Sequence, residues 1–233
     1  ALSASMKEWI TKSYQPVRVE SIPNASDCKL FGQLKSLGPP PQIRANEKTN
    51  FVYSGTLGPA NNCDQILAAA RKLKDWGEKD ILIYLIGDGK EKRNLEKKAE
   101  QEQLLGLLEF LPPIPKEELA TWINHCDAVL VVLKNIKVFD TVSPNKLFDA
   151  FAAGVPVIQT TQGWIRELLE EENCGTTTDP QDPDSLARTI QFFAHNPKQR
   201  QVMSRNSMRV GKKYFDRDIL SQKYLGLLEE LTH

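Results

Sequence analysis

Apolar positions along this chain switch repeatedly between two periods. Short runs at 50–54 (NFVYS), 80–86 (DILIYLI), 107–110, 128–133, 155–159 and near 175–178 read as strands. The stretches between and after them repeat their apolar residues every three or four positions, as amphipathic helices do. They predict helices over 63–74, 91–103, 116–125 and 144–153, and from about 164, 183, 197 and 217. Strands separated by helices at this spacing predict a parallel sheet covered on both faces, a doubly wound Rossmann-like α/β domain. The first 47 residues break the rhythm. They offer one helix (4–13), one strand (17–22) and an irregular passage containing GPPP at 38–41, which reads as a linker.

Composition narrows the class. The 233 residues carry 30 Lys+Arg and 30 Asp+Glu, a net charge of zero, so no global field draws the protein to nucleic acid, and any charged ligand must be held locally. Cys28, Cys63, Cys126 and Cys174 form no CxxC pair and have no histidine at ligand spacing. That argues against both a zinc site and a disulfide framework, and for a reducing, cytoplasmic setting. The apolar run at 128–133 is far shorter than the roughly 20 residues a membrane helix needs.

Three strand exits carry candidate chemistry, because ligands of open α/β sheets bind beyond the carboxyl ends of the strands. The first, Ser54-Gly55-Thr56-Leu57-Gly58-Pro59, reads equally as a backbone cradle for an anion or as a tight turn. The second, Gly87-Asp88-Gly89, lacks the further glycine and downstream acid of a dinucleotide fingerprint and reads first as a turn. The third has the strongest internal logic. Ser143 is placed to cap a helix with Pro144 at its first position, which would leave free amides facing a phosphate. Lys146 and Asp149 are three apart, hence on one helical face. A lysine in the first turn opposes the helix dipole unless an anion is present, and an acid one turn on can accept ribose hydroxyls; the alternative is a solvated pair. The acids around Pro183 and Arg217 read as helix starts rather than metal ligands, and His125 as a helix end.

From residue 22 onward these segments resemble, in order, the carboxyl-terminal half of retaining glycosyltransferases of family 4, which have the GT-B fold. IPNASDCKLF (22–31) is similar to the family's "IPNGVD…F", YSGTLG to its diphosphate loop, and LIGDG to its second strand exit. FLPPIPKEEL (110–119) is similar to its base-binding turn. SPNKLFDAFAAGVPVI resembles its donor-binding helix and strand, and QGWIRELLEEENCG and the tail through NPKQRQVM also fit. The resemblance implies that Gly55, Thr56, Gly58, Ser143, Asn145 and Lys146 surround a donor diphosphate. It implies Gly87, Pro113 and Ile114 at the base and Asp149 at the ribose, with no metal or other cofactor. The donor would be a UDP- or GDP-linked sugar.

The departures are specific. The first acid of the family's E-x7-E pattern falls at Thr141, Asp149 is one methylene shorter than the usual Glu, and the basic pair after the first glycine loop is replaced by Thr56 and, approximately, Asn62. The implied organisation is an acceptor-domain remnant and linker (1–47), a nucleotide-sugar-binding domain (48–214) and a crossover helix (215–233). The chain thus reads as part of a larger enzyme, inactive alone, that works in polysaccharide or glycoconjugate synthesis. Its saccharide or lipid-linked acceptor would be held by a domain the chain lacks, and the full-length protein would sit in the cytoplasm, peripheral to the inner membrane. Trp9, Ile10 and Leu225, exposed by the missing half, imply self-association. A non-catalytic nucleotide-sugar-binding module and a sugar-nucleotide epimerase are the competing readings.

Overall fold

The structure, a computed structural model, describes residues 1–15, 18–44 and 47–232. Helices α1 (Ala4–Tyr14), α2 (Cys28–Leu34) and α3 (Pro41–Arg44) precede the sheet. The first half of the sheet comprises β1 (Thr49–Ser54), α4 (Asp64–Asp75), β2 (Ile81–Ile86), α5 (Lys92–Gln101) and β3 (Leu108–Leu111). Helix α6 (Lys116–Asn124) then crosses to β4 (Ala128–Val131), followed by α7 (Asn145–Ala153), β5 (Val157–Gln159), α8 (Trp164–Glu172) and β6 (Gly175–Thr177). Helices α9 (Pro183–His195), α10 (Pro197–Tyr214) and α11 (Arg217–Thr232) complete the chain.

Among the described residues the strands form one parallel sheet in the order β3-β2-β1-β4-β5-β6. All six residues of β2 (ILIYLI) are buried, as an unbroken apolar run requires of a central parallel strand. Alternate residues feed two cores. Val52, Tyr84, Val129 and Val157 pack with α2, α6, α7 and α8, while Phe51, Ile83, Leu130 and Ile158 pack with α4, α5 and α9. The chain leaves β1 toward β2 and β3 on one side and reaches β4 to β6 on the other. The crevice at the switch point therefore opens between the carboxyl ends of β1 and β4.

The amino-terminal segment departs from its predicted form. Val17 lies outside the described residues, and Arg18–Ile22 joins no strand. β-Branched residues favour strands only where a neighbour can satisfy the backbone, and here the segment has just isolated contacts such as Ile22 N–H to Ala1 O at 2.9 Å. The passage expected to be an irregular linker contains α2. Asp27 caps it by accepting from Leu30 N–H, and it buries Cys28 and Phe31 against α6 and α7. Composition missed it because two anchoring side chains suffice for a seven-residue helix.

Helix α1 lies against a 3₁₀ turn, Lys137–Thr141, where Ser3 Oγ donates to Thr141 O at 2.8 Å. Between them runs a groove of about 700 Å³ whose lining includes Met6, Trp9, Ile10, Val138 and Thr141. Trp9 and Leu225 are both more than half exposed. No helix of the described residues is long and apolar enough to cross a membrane.

Two helical glycines give a test of this packing. A Cβ on Gly211 of α10 would overlap the Phe151 carbonyl of α7, whereas one on Gly226 of α11 meets nothing within 4 Å. In urea unfolding, Gly211→Ala is expected to cost about 1–3 kcal/mol through overpacking, and Gly226→Ala to gain roughly 0.5–1 kcal/mol by lowering chain entropy in the unfolded state.

Candidate functional site

The β1 and β2 exits are locked together. Gly55 N–H donates to Ile86 O at 2.9 Å and Leu57 N–H to Asp88 O at 2.8 Å, and Glu91 N–H returns to Leu57 O at 2.9 Å. Gly87, at φ 152°, stands so close to the Gly55 carbonyl that no side chain fits, and Gly89, at φ 155°, stands likewise against Leu57 O. Lys92 Nζ donates to Gly87 O at 2.9 Å and to Leu111 O at 3.0 Å, joining the β2 and β3 exits. Gly87 itself is buried, and its N–H donates to Leu111 O at 3.2 Å. What it offers the site is close approach of two loops. Beyond it, Pro113 is exposed while Ile114 leans on the core beneath the start of α6.

Across the crevice stands the amino end of α7. Ser143 is not the cap. Pro144 occupies that position with extended backbone (φ −74°, ψ 129°), and Asn145 is the first helical residue. A proline cap has no side-chain oxygen to offer the helix. The amides of Asn145 and Lys146 donate to no group among the described residues, and the Ser143 hydroxyl is buried with no hydrogen-bond partner. Asn24 Nδ2 ties this corner down, donating to Ser143 O at 2.8 Å and to Asn145 Oδ1 at 3.0 Å.

Lys146 and Asp149 are not a solvated pair. Lys146 runs inward, placing Nζ 3.8 Å from the centroid of the Tyr53 ring and 3.4 Å from the point where a Cβ on Gly55 would stand. Gly55 and Lys146, predicted from separate motifs, are thus neighbours. Among the described residues Lys146 has no carboxylate partner, and burial lowers its pKa to about 8. A cation–π contact offsets part of that desolvation. Tyr53 is fully buried, and its hydroxyl donates to Thr56 O at 2.7 Å, fixing the loop beside the ammonium. Gly58 has φ −129°, a conformation open to any residue, and starts the 3₁₀ turn Pro59–Asn61.

Asp149 is buried on the same helix but faces another way. Ser26 Oγ donates to its Oδ1 at 2.5 Å, and Lys116 Nζ lies 3.7 Å from that atom. Burial raises the carboxyl pKa, while the Ser26 hydrogen bond and the Lys116 charge hold it down. Tyr53, Lys92, Ser26 and Asn24 carry no signal of their own in the sequence: Tyr53 meets Lys146 only through strand order, Lys92 is one lysine of a charged helix, and Ser26 and Asn24 lie in a segment read as linker. Thr141, where the resemblance expects an acid, turns its hydroxyl back to Val138 O at 2.9 Å. Asp182 caps α9 and Asp216 accepts the Asp218 amide, the helix-start roles expected of them, and His125 ends α6 with Nδ1 2.9 Å from Thr121 O.

Sheet order, crevice and a helix start bearing donors without acceptors define the class: a Rossmann-like α/β domain with an anion-ready switch point. Within that class the chain belongs to the glycosyl transferases group 1 family, whose sequence profile matches residues 40–210. It is 25% identical over 224 residues to the putative colanic acid biosynthesis glycosyltransferase WcaL of Salmonella typhimurium, covering 86% of this chain and 54% of that protein. It is 27% identical over 154 residues to the D-inositol 3-phosphate glycosyltransferase of Streptomyces coelicolor, covering 63% of this chain and 33% of that one. The chain therefore spans about a third to a half of the length of these relatives. The fold matches that of GT-B glycosyltransferases. Anabaena HepE, crystallised with UDP-glucose, superposes with a TM-score of 0.81 at 17% identity over 99% of this chain and 63% of its own.

The unpartnered ammonium has a stability consequence. The folded pKa of Lys146, about 8, lies below the ordinary lysine value of 10.5, so the fold disfavours the cation. That penalty is complete below pH 8 and vanishes as pH rises through 10.5. Lys146→Met is expected to stabilise the ligand-free protein at pH 7 by on the order of 2 kcal/mol. The gain should shrink toward zero between pH 8 and pH 10.5 in chemical denaturation.

Proposed function

We propose that this chain is the donor-binding part of a retaining glycosyltransferase. It would hold a nucleoside diphosphate sugar, UDP- or GDP-linked, at the crevice between β1 and α7, for transfer of a hexose or N-acetylhexosamine to an acceptor hydroxyl. The observation that carries this reading is the Lys146 ammonium, which lacks an anion beside Gly55 and the free amides of α7. A diphosphate supplies the missing charge. Gly55, Thr56 and Gly58 would line one side of it, Ser143, Asn145 and Lys146 the other, with Asp149 toward the ribose and Gly87, Pro113 and Ile114 toward the base. HepE, of the same fold, was crystallised with UDP-glucose, which supports the ligand class.

Chemically, departure of the nucleoside diphosphate leaves negative charge on its phosphates. Lys146 and the α7 amides are fixed before the reaction by the Tyr53 ring and the Asn24 clamp, so they stabilise that charge without reorganising. The acceptor and any group that acts on it would belong to a further domain. A second reading, a nucleotide-sugar-binding module without transfer, is favoured by Thr141, whose position carries no carboxylate to meet the donor sugar.

Calorimetric titration with UDP, GDP and their glucose conjugates tests both readings. The native chain should bind at least one, and Lys146→Ala should weaken it roughly 10- to 100-fold, the worth of a charge-assisted contact. Because the protonated lysine binds the anion, affinity should fall as pH rises above 8, by about tenfold per unit at first, and level off at the loss seen for Lys146→Ala. Absence of binding would sink the assignment, and binding without transfer when an acceptor domain is supplied would favour the module.

A further inference from the structure

Residues 24–27 form a strap held from both sides. Ser26 N–H donates to Phe215 O at 3.1 Å, and Arg217 N–H donates to Ser26 O at 2.9 Å, forming a single parallel bridge with the turn into α11. Arg217 also pairs with Asp27 at 2.9 Å. With its backbone fixed by that turn and 1% of its surface exposed, Ser26 can direct its hydroxyl only inward. It meets Asp149 Oδ1 there, at 2.5 Å. Oδ2 has no hydrogen-bond partner among the described residues, yet it is not among the atoms sealed from solvent. Thus one carboxylate oxygen is committed to the protein, and the other is unengaged among the described residues and reachable by solvent.

We propose that Ser26 is a positioning residue for ribose recognition: by occupying Oδ1 it fixes the Asp149 carboxylate plane and leaves Oδ2 as the acceptor for a sugar-ring hydroxyl of the nucleoside. The inference rests on the nucleotide-binding reading above and adds to it a residue from outside the sheet domain. Lys116, at the start of α6, is the second holder, acting on the same oxygen at 3.7 Å. The remaining charged groups nearby are engaged elsewhere. Lys146 lies over Tyr53, Asp27 pairs with Arg217, and Asp216 faces the Cys28 thiol. Removing the Ser26 hydroxyl therefore takes away a contact that favours the ionised carboxylate, and Asp149 should then titrate at higher pH.

The test compares UDP and GDP with their 2′,3′-dideoxy counterparts by calorimetry, alongside ¹³C NMR titration of the Asp149 carboxyl without ligand. In Ser26→Ala the ribonucleotide should lose about tenfold in affinity and the dideoxy compound nothing. The double variant Ser26→Ala/Asp149→Ala should bind no more weakly than Asp149→Ala alone, and the Asp149 titration should move upward. Equal weakening of both ligands, additive losses or an unmoved carboxyl titration would overturn the proposal. If no nucleotide binds the native chain although the carboxyl titration shifts, the ligand reading itself fails and the ribose role falls with it. Should Ser26→Ala not fold, Lys116→Ala, at an exposed side chain, must give the same selective loss and upward shift, and its failure to do so also overturns the proposal.

Discussion

The close approach of the β1 and β2 exits is the constraint on which the site depends. Two central strands of a parallel sheet leave it side by side, and their loops must diverge while still satisfying backbone groups in a buried setting. Here they do so by bonding to each other, through Gly55 to Ile86, Leu57 to Asp88 and Glu91 to Leu57. That pairing brings backbone against backbone at Gly87 and Gly89, where a Cβ would strike a carbonyl. The first loop is consequently held at a fixed height above the sheet, and the crevice beside β4 keeps the width that α7 and its lysine require. Any substitution at Gly87 acts on the site through this lock, although Gly87 is itself buried.

Helix α7 is held from the opposite direction by residues remote in sequence. Asn24 grips its amino end, Ser26 reaches its second turn, and Gly211 lets α10 pack directly on its backbone. Polar contacts of this kind contribute little net free energy when exposed, but they determine geometry when buried, because leaving either partner unsatisfied costs about 1–3 kcal/mol. The strap therefore fixes where the helix start points more than it adds to stability. Its other attachment, the turn at Phe215–Arg217, makes the orientation of α7 depend on the same segment that anchors α11.

What the sequence could express follows from range. β2 was legible because burial on both faces leaves no room for polar residues in its six positions, and α7 because nine residues carry a helical period ended by Gly154 in the left-handed conformation. The adjacency of Gly55 and Lys146 was legible only as two motifs; their contact is a product of strand order. α2 was hidden because seven residues with two buried anchors give too little periodicity, and the Pro-rich stretch beside it signalled a linker. Ser26 was hidden for a different reason. A serine in a polar segment carries no sign that a buried carboxylate 123 residues away will accept its hydrogen bond. The cap falls one residue later than its chemistry suggests for a local reason: Ser143 has the right side chain, but Pro144 takes the boundary dihedrals itself.

Zero net charge, which excluded long-range attraction of a polyanion, is compatible with firm local charge selection. The exposed ion pairs on the surface, such as Lys12 with Glu8 or Arg166 with Glu170, are screened by water and salt and set little. The Lys146 ammonium is one charge, but it lies against an aromatic face in partial burial, with free amides nearby and no counter-ion among the described residues. In that environment a given charge exerts several times the influence it would in water. Selectivity for an anion then requires no excess of basic residues. It requires that the fold leave one cation without a carboxylate partner at the place where the proposed phosphate would stand.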